Sequence, residues 1–467
     1  MAKKRPAVSR SAREHRAQIR ALVAFSITLF VAKILWLASF DGQGLLGADG
    51  ESYLAALDGL LADGLFSALS TLIYWPAGYP ILMWPIAEIS QSNLLFIVGV
   101  LQSLIFSLSI LFFAVELSSS SLKRFTWPTV ILLNLSPTLS LNSVVIGYEV
   151  TSASLLLLAI ALYLRQNRIN KTSIVNLETT SAAISMSLAC FMQPRIALLS
   201  LGIVIPYAIY RYKGKSIPIF LAFSISLVAI SPTLLTLRNL QANGLAVVST
   251  NLGVTMNIGA GPGASGGYSN DAKGVPCEPL VGDAAEQDRQ KVRCVIDWYL
   301  ANPFSATKLF GNKFLYHWSP WFGPLFKGTM ARNPWLEFNP LFDIASTNGG
   351  YQMVFGNVGK VVSWGWIMCS LVLLSLGFLA LRRRGGSSTL LAWLLLAPVL
   401  LNTLSSMVTI GDNRFRIPTL TLSLLLQLFG FYSIFSRKIF MRGAEGEVKL
   451  SRGINWSKKQ VGDNLQP

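Results

Sequence analysis

Residues 94–117 read LLFIVGVLQSLIFSLSILFFAVEL, a run in which Glu116 is the single charged residue. An α-helix needs about 20 predominantly apolar residues to cross the ~30 Å hydrocarbon core of a bilayer. Helices in the cores of soluble proteins rarely sustain such a run. The stretch therefore predicts a membrane-spanning helix.

The same character recurs along the chain, which has 467 residues, of which 52% are hydrophobic and 13% are charged. Soluble domains are about 25% charged, so the excess of apolar residues indicates contact with lipid. The apolar runs predict an all-α multi-pass membrane protein with about ten transmembrane helices, at residues 21–40, 93–117, 127–146, 148–164, 174–192, 196–210, 217–237, 354–381, 389–410 and 415–435.

The net charge of +17 raises the alternative of nucleic-acid binding, and the position of the basic residues decides between the two interpretations. With ten spans and an inside N-terminus, every basic cluster falls on the same side of the membrane, which is the positive-inside pattern. The pattern predicts a cell-membrane protein with both termini in the cytoplasm, a retained first helix and no nucleic-acid partner. The clusters lie at residues 3–20, 123–124, 165–171, 211–215, 382–384 and 437–442.

This topology divides the chain into a cytoplasmic N-terminus (1–20), a first membrane core (21–237), a large outer loop domain (238–352), C-terminal membrane helices (353–436) and a cytoplasmic tail (437–467). The first outer loop, 41–92, is purely acidic, because neither Lys nor Arg occurs between Lys33 and Lys123. Lys33 itself lies inside the first span, where snorkelling to the interface is the expected role. The acids of this loop are Asp41, Asp49, Glu51, Asp58, Asp63 and Glu88.

The large outer loop predicts a small external mixed α/β unit. Residues 247–258 have the composition of a strand, the glycine-rich residues 259–267 predict turns, and residues 283–301 and 303–318 predict helices. Cys277 and Cys294 lie in this loop, where an oxidising compartment permits a disulfide. Spacing alone leaves two free thiols as the alternative.

Charged residues recur at the tight outer turns of the predicted topology, namely Glu149, Arg195, Arg414 and Arg416. Charges at this depth are costly and are functional candidates by default, so they indicate one external cavity shared with the acidic loop. The structural alternatives are helix capping for an aspartate such as Asp49 and snorkelling for an arginine at the end of a span.

Four local motifs add a resemblance. They are GADGESY at 47–53, YWPAGYP at 74–80, Arg238-Asn239 followed by STNLGV at 249–254 and NIGAGPGASGG at 257–267, and GDNRFRIP at 411–418. In order and in external location, these motifs resemble those of the polyprenyl-phosphate-dependent glycosyltransferases of the GT-C superfamily, in the protein-mannosyltransferase-like group.

The resemblance implies a GT-C-like enzyme that transfers a sugar, with inversion, from a polyprenyl-phosphate donor to a protein, lipid or glycan acceptor outside the cytoplasm. In that family an acidic residue early in the first outer loop serves as the base. Asp49 is the matching position, and Glu51 is a second candidate carboxylate because it follows so closely.

Elementary chemistry is compatible with this reaction. A glycosidase normally needs two carboxylates because the leaving alcohol must be protonated, whereas a sugar phosphate releases a stable anion. One carboxylate to deprotonate the acceptor and cations to hold the phosphate then suffice, and arginine suits the phosphate through its bidentate fork. The candidate donor-phosphate and substrate-binding residues are Arg414, Arg238, Arg195, Arg416, His317 and Glu149.

Other classes of site have weaker support. No His, Cys, Asp or Glu cluster has metal-ligand spacing, so no metal site is predicted, although a divalent cation at the carboxylates stays open. Residues 259–267 lack the Gly-Lys-Ser/Thr that completes a phosphate-binding loop.

The rival functions are a transporter or flippase for a lipid-linked or sugar substrate, for which two related halves are expected but not evident, and a polysaccharide polymerase or ligase. The sugar, the carrier lipid, the acceptor and the oligomeric state are left open.

Overall fold

The computed structural model describes residues 10–39, 45–46, 49–169, 173–267, 274–277, 280–320, 349 and 356–435. The predicted cytoplasmic tail, residues 321–348 and 350–355 of the outer loop, Asp41 and the first residues of the GADGESY motif lie outside these ranges. The described part is almost entirely helical. Its helices are α1 (Arg10–Ala38), α2 (Gly50–Asp63), α3 (Thr71–Tyr74), α4 (Gly78–Ile89), α5 (Leu94–Ser118), α6 (Thr126–Leu135), α7 (Pro137–Ser140), α8 (Glu149–Arg168), α9 (Leu177–Met192), α10 (Ile196–Arg211), α11 (Ser216–Asn243), α12 (Leu252–Ile258), α13 (Ala284–Ala301), α14 (Pro303–Trp318), α15 (Asn357–Arg384), α16 (Gly386–Val408) and α17 (Ile417–Phe435).

Seven helices of the described residues are long and apolar enough to cross a membrane. They are Glu14–Ala38, Leu94–Ser118, Glu149–Arg168, Ser216–Asn243, Asn357–Arg384, Gly386–Val408 and Arg414–Phe435. The apolar helices α9 and α10 are shorter, with 16 residues each. This architecture agrees with the predicted all-α multi-pass class, while the count of clear candidate spans is lower than the ten expected.

The predicted span at 127–146 is wrong as a single helix. Helix α6 ends at Leu135, the short α7 begins at Pro137, and the chain then passes through a 3₁₀ turn, Asn142–Val144, into the strand β2, Val145–Ile146. Ser136 takes an extended ψ of 112°, since the ring of a following proline disfavours the helical conformation. Strand β2 pairs in parallel with β1, which is Leu45–Leu46. The segment that follows the break in the helix is therefore hydrogen-bonded to the first outer loop.

Helix α8 lies at the centre of the helical assembly. It packs against α5, α9 and α17, and Leu156 and Ile160 on it are fully buried. A helix that is apolar on all sides belongs in the interior of a helical protein. Helix α8 carries one acid, Glu149, in its first turn and two arginines, Arg165 and Arg168, in its last turns.

Two glycines allow α15 and α17 to pack in direct backbone contact. A Cβ atom at Gly377 would overlap the carbonyl oxygen of Leu426, and one at Gly430 would overlap the carbonyl oxygen of Leu373. Small residues at such crossings let transmembrane helices approach closely.

Replacing Gly377 with alanine is therefore expected to destabilise the protein by about 1–3 kcal/mol, the usual cost of overpacking a tight contact. The matched control is Gly365→Ala on the same helix, where a Cβ would have no neighbour within 4 Å. Thermal unfolding of the detergent-solubilised variants measures the difference. Equal melting temperatures for the two variants would contradict the close-packing account.

The helices of the described outer loop are α12, α13 and α14. A small core of Met256, Ala260, Val275 and Val295 lies between α12 and α13, whereas Trp318 of α14 belongs to the main hydrophobic core. The helices predicted at 283–301 and 303–318 are confirmed by α13 and α14. A disulfide joins Cys277 to Cys294 on α13.

The strand predicted at 247–258 is wrong, because residues Leu252–Ile258 form α12 and the described residues of the outer loop contain no strand. Leu252 and Met256 are four residues apart, so this short apolar run fits a helix as well as a strand. Packing decides for the helix: Met256 is buried in the core of the outer loop, and the amide of Gly253 donates to Asp288 Oδ1 at 2.7 Å.

Candidate functional site

Three charged side chains from distant parts of the chain meet at the N-terminal end of α8. Arg414 Nη2 lies 2.7 Å from Asp49 Oδ2, and Arg414 Nε donates to Glu149 Oε1. The side chains of Asp49, Glu149 and Arg414 are 13%, 10% and 5% exposed, so the cluster is largely withdrawn from solvent. In such surroundings the charge-assisted hydrogen bonds between one guanidinium and two carboxylates are stronger than they would be in water.

Asp49 occupies the position that precedes α2. Its backbone oxygen accepts from the amide of Tyr53 at 3.1 Å, but its side chain makes no capping hydrogen bond. The carboxylate instead points to Arg414, so the capping interpretation of Asp49 does not hold for its side chain.

Glu149 is placed by a turn that two buried side chains hold. Tyr79 Oη accepts from the amide of Gly147 at 2.9 Å and donates to Gln102 Oε1 at 2.9 Å. Gln102 Nε2 in turn donates to the carbonyl oxygen of Val145 at 2.8 Å. A Cβ atom at Gly147 would lie 2.6 Å from Glu149 Oε2, so glycine leaves room for the carboxylate.

Arg414 opens a 3₁₀ turn that leads into α17. Asp412 Oδ1 accepts from the amide of Arg414 at 2.8 Å, and Asn402 Nδ2 donates to the carbonyl oxygen of Phe415 at 2.7 Å. Burial raises the pKa of Asp412 to about 6, although the Arg414 amide opposes the shift. The turn is therefore fixed from both sides by buried polar groups.

Helix α14 of the outer loop holds the segment that leads to Arg414. The fully buried Lys313 donates from Nζ to the carbonyl oxygen of Thr409 at 2.6 Å and to Tyr299 Oη at 2.8 Å. The Gly411 amide donates to the carbonyl oxygen of Gly266 at 2.9 Å, and a Cβ on Gly411 would overlap the backbone of Lys313. The outer loop therefore forms part of the site, because its contacts with Thr409 and Gly411 hold the segment that precedes Arg414.

Lys313 gives the protein a predictable pH dependence. Burial lowers the pKa of its ammonium from 10.5 to about 7, so between these values the unfolded chain binds a proton that the folded protein does not. Stability is therefore expected to rise with pH across this window, and the rise is expected to shrink in Lys313→Met. Thermal unfolding at a series of pH values tests this, with the exposed Lys308→Met on the same helix as the control. A pH profile unchanged by Lys313→Met would contradict the assignment.

A second group of cationic and neutral donors adjoins the cluster. The guanidinium of Arg195 lies 4.2 Å from the ring centroid of Phe415, and within the described residues its Nε and Nη2 atoms have no hydrogen-bond partner. Arg416 Nη1 donates to the carbonyl oxygen of Trp318 at 3.0 Å, while its Nε is likewise unpartnered. Buried donors without partners are rare in folded proteins, and a ligand or a water is expected to satisfy them.

His317 lies among these arginines and is fully buried. Its pKa is well below the usual value because of burial, and the charges of Arg416 and Arg195 lower it further, while the nearby backbone of Asp412 offsets part of the shift. Neither ring nitrogen has a partner at good hydrogen-bonding geometry in the described part of the chain. A neutral imidazole here offers one N–H donor and one acceptor.

Arg238 and Glu51 are not brought to this cluster. Arg238 is buried on α11, and its guanidinium donates to the carbonyl oxygens of Leu65 at 2.9 Å and Leu72 at 3.4 Å. It thus holds the turn after α2. Glu51 is exposed on the first turn of α2.

The snorkelling expected for Lys33 is wrong. The side chain is buried, donates to Ser143 Oγ at 3.3 Å and lies 4.6 Å from the ring centroid of Phe106. It therefore points into the protein at the 3₁₀ turn after α7, where the Ser143 hydroxyl satisfies one of its donors.

The arrangement combines two carboxylates bound to one guanidinium with a neighbouring set of unpartnered donors. Such a site can accept a proton at a carboxylate and hold an anion at the donors. The described residues contain no group of three or more His, Cys, Asp or Glu side chains able to hold a metal ion. Comparison of the chain with sequence models of known families, with curated proteins and with solved structures gives no significant match in any of the three.

Proposed function

We propose that this protein is a membrane glycosyltransferase of the GT-C type, which transfers a sugar from a polyprenyl-phosphate donor to an acceptor on the extracytoplasmic face of the cell membrane. The observation that carries the proposal is the bridge from Arg414 to Asp49 and Glu149. These residues come from the first outer loop, the start of the central helix and the start of the last helix. Their convergence at one end of the molecule supports a single active site there.

In the proposed reaction Asp49 accepts the proton of the acceptor hydroxyl as its oxygen attacks the anomeric carbon. The bond from that carbon to the phosphate oxygen breaks, and the polyprenyl phosphate leaves as an anion. A single displacement inverts the anomeric configuration. Glu149 holds Arg414 in place, so that the guanidinium stays beside the reacting atoms without moving during the reaction.

In this proposal the donor phosphate binds to the unpartnered donors of Arg195, Arg416 and His317. Charge that develops on the leaving phosphate is stabilised best by donors that are already oriented and shielded from water. Arginine adds a planar fork that matches phosphate oxygens. These three residues are therefore assigned to the donor phosphate, whereas Arg238 is assigned a structural role.

The carboxylate pair favours transfer over glycoside hydrolysis. A glycosidase keeps one of its two carboxyl groups protonated so that it can act as the acid. Here both carboxylates are bound to the same guanidinium, that of Arg414. A leaving group that needs no proton suits this arrangement.

The test uses the purified protein in proteoliposomes with a panel of polyprenyl-phosphate sugars and candidate acceptors. Release of free polyprenyl phosphate and movement of the intact donor between leaflets are measured on the same samples. Release with the matching donor supports a transferase. Movement of the donor without consumption would reject it in favour of a flippase.

A further inference from the structure

The corner between α13 and α14 carries three exposed apolar side chains. Ile296, Leu300 and Phe304 are 44%, 75% and 91% exposed. Ile296 and Leu300 are four residues apart on one flank of α13, and Phe304 follows in the first turn of α14. These three residues are called the apolar corner below. A group of exposed apolar side chains, unlike a single one, marks a surface that meets a membrane or another protein.

The apolar corner lies beside the end of a candidate membrane span. Tyr299, which directly precedes Leu300, donates from Oη to the carbonyl oxygen of Val408 at 3.3 Å. Val408 is the last residue of α16, one of the seven helices that are long and apolar enough to cross a membrane. Lys313 of α14 donates from Nζ to the same carbonyl oxygen at 3.3 Å. Both helices of the corner are therefore tied to the level at which a span ends.

The apolar surface of α16 leads to the same place. Leu400, Leu404 and Val408 are 49%, 56% and 47% exposed, and their spacing of four residues puts them on one face of the helix. In a helix that crosses a membrane, an exposed apolar face of this kind contacts lipid. This face ends at Val408, whose carbonyl oxygen holds the phenol of Tyr299. The lipid-contacting surface of α16 therefore continues towards the apolar corner.

Charged side chains border the apolar corner on both sides. Arg293 lies one turn before Ile296 and is 87% exposed, although Asp297 lies 4.0 Å from it. The exposed Lys308 lies one turn after Phe304. Long cationic side chains extend to the polar headgroups of a bilayer while their apolar neighbours enter it. An apolar group between charged flanks is the pattern of a helix that anchors in a membrane interface.

We propose that the apolar corner inserts into the lipid leaflet that surrounds the end of α16, with Leu300 and Phe304 at the boundary between headgroups and acyl chains. The position of the corner selects lipid over a protein partner, because it lies where a span ends and next to a lipid-contacting face. Insertion would tie α14 to the membrane, and α14 holds the segment before Arg414 through Lys313. The inference does not depend on the reaction assigned to the neighbouring cluster.

The test places a fluorophore on the corner of the full-length protein. Phe304→Cys in a Cys369→Ser background is labelled with bimane maleimide and reconstituted in phosphatidylcholine nanodiscs that hold one copy each. Cys190 is buried and Cys277 is bonded to Cys294, so the label attaches at position 304. Phosphatidylcholine brominated in its acyl chains then replaces the ordinary lipid. Because bromine quenches a fluorophore only at close range, emission from the inserted position is expected to fall roughly twofold or more.

Leu300→Cys, labelled in the same way, is expected to be quenched to a similar extent, so the outcome does not depend on one variant. The matched control is Ala284→Cys, at the exposed first residue of α13 and about 24 Å from Leu300 along the helix. Its emission is expected to stay unchanged. Unquenched emission at both corner positions, whether typical of water or of a protein contact, would overturn the proposal. Equal quenching at Ala284→Cys would overturn it as well.

Discussion

Asp49→Asn is expected to lower the turnover of the sugar donor by about 10²–10⁴-fold, the usual contribution of a general base. Asparagine keeps the size of the side chain and one oxygen for Arg414, but it cannot accept the proton of the acceptor. The KM for the donor is expected to change little, because the donor phosphate is assigned to Arg195, Arg416 and His317 and not to Asp49. Steady-state kcat and KM for donor consumption measure both quantities.

Glu51→Gln is the matched control for Asp49→Asn. Glu51 is two residues away and exposed on the first turn of α2, so its replacement is expected to leave kcat unchanged. A large loss of kcat in Glu51→Gln with normal turnover in Asp49→Asn would assign the base to Glu51. Normal turnover in both variants would reject a carboxylate base from this loop.

Arg414→Ala is expected to abolish turnover and to destabilise the protein by about 3–5 kcal/mol, because breaking a buried ion pair leaves its partners uncompensated. Here two carboxylates, Asp49 and Glu149, would lose their shared cation. Arg414→Lys is expected to recover part of the stability but little of the activity, since an ammonium lacks the planar fork that reaches both acids. Thermal unfolding and donor consumption on the same preparations separate the two effects.

Arg289→Ala controls for the loss of an arginine as such, because the side chain of Arg289 is 70% exposed and pairs only with the nearby Glu286 within the described residues. Exposed pairs of this kind contribute about 0–1 kcal/mol. An Arg414→Ala variant as stable as Arg289→Ala and still active would contradict the role given to the cluster.

Much of the architecture could be predicted because membrane helices impose strong patterns on a sequence. Long apolar runs locate α5, α15 and α16 to within three residues, whereas α11 continues six residues past its predicted end at residue 237 and so includes Arg238, which was predicted to lie in the outer loop. The helix predicted at 303–318 matches α14. A proline marks the break in the predicted span at 127–146, since Pro137 pushes the preceding residue out of the helical conformation.

The central cluster was also accessible from the sequence. Glu149 and Arg414 stand out as charges at the tight turns of the predicted topology, and Asp49 stands out through the resemblance of its motif to the glycosyltransferase family. Their pairing was not accessible, because it depends on how distant segments pack. Arg238 carries the same sequence signal as Arg414, yet its guanidinium binds the carbonyl oxygens of the turn after α2.

The residues that support the cluster carry little sequence signal. Gln102 and Tyr79 are isolated polar groups in apolar or aromatic segments, and only the fold shows that both act on the turn before Glu149. Lys313 looks like an ordinary lysine of an amphipathic helix, but it is fully buried against the segment that leads to Arg414. Such roles follow from tertiary contacts and not from local pattern.

The most direct test of the central claim asks which face of the membrane consumes the donor. A short-chain, water-soluble polyprenyl-phosphate sugar is added outside sealed proteoliposomes, and release of the polyprenyl phosphate is followed. The fraction of molecules with α14 outward is measured with a membrane-impermeant maleimide on Lys308→Cys in a Cys369→Ser background. The proposed site predicts a release rate proportional to that fraction. Release proportional to the opposite orientation, or no release with any donor of the panel, would contradict it.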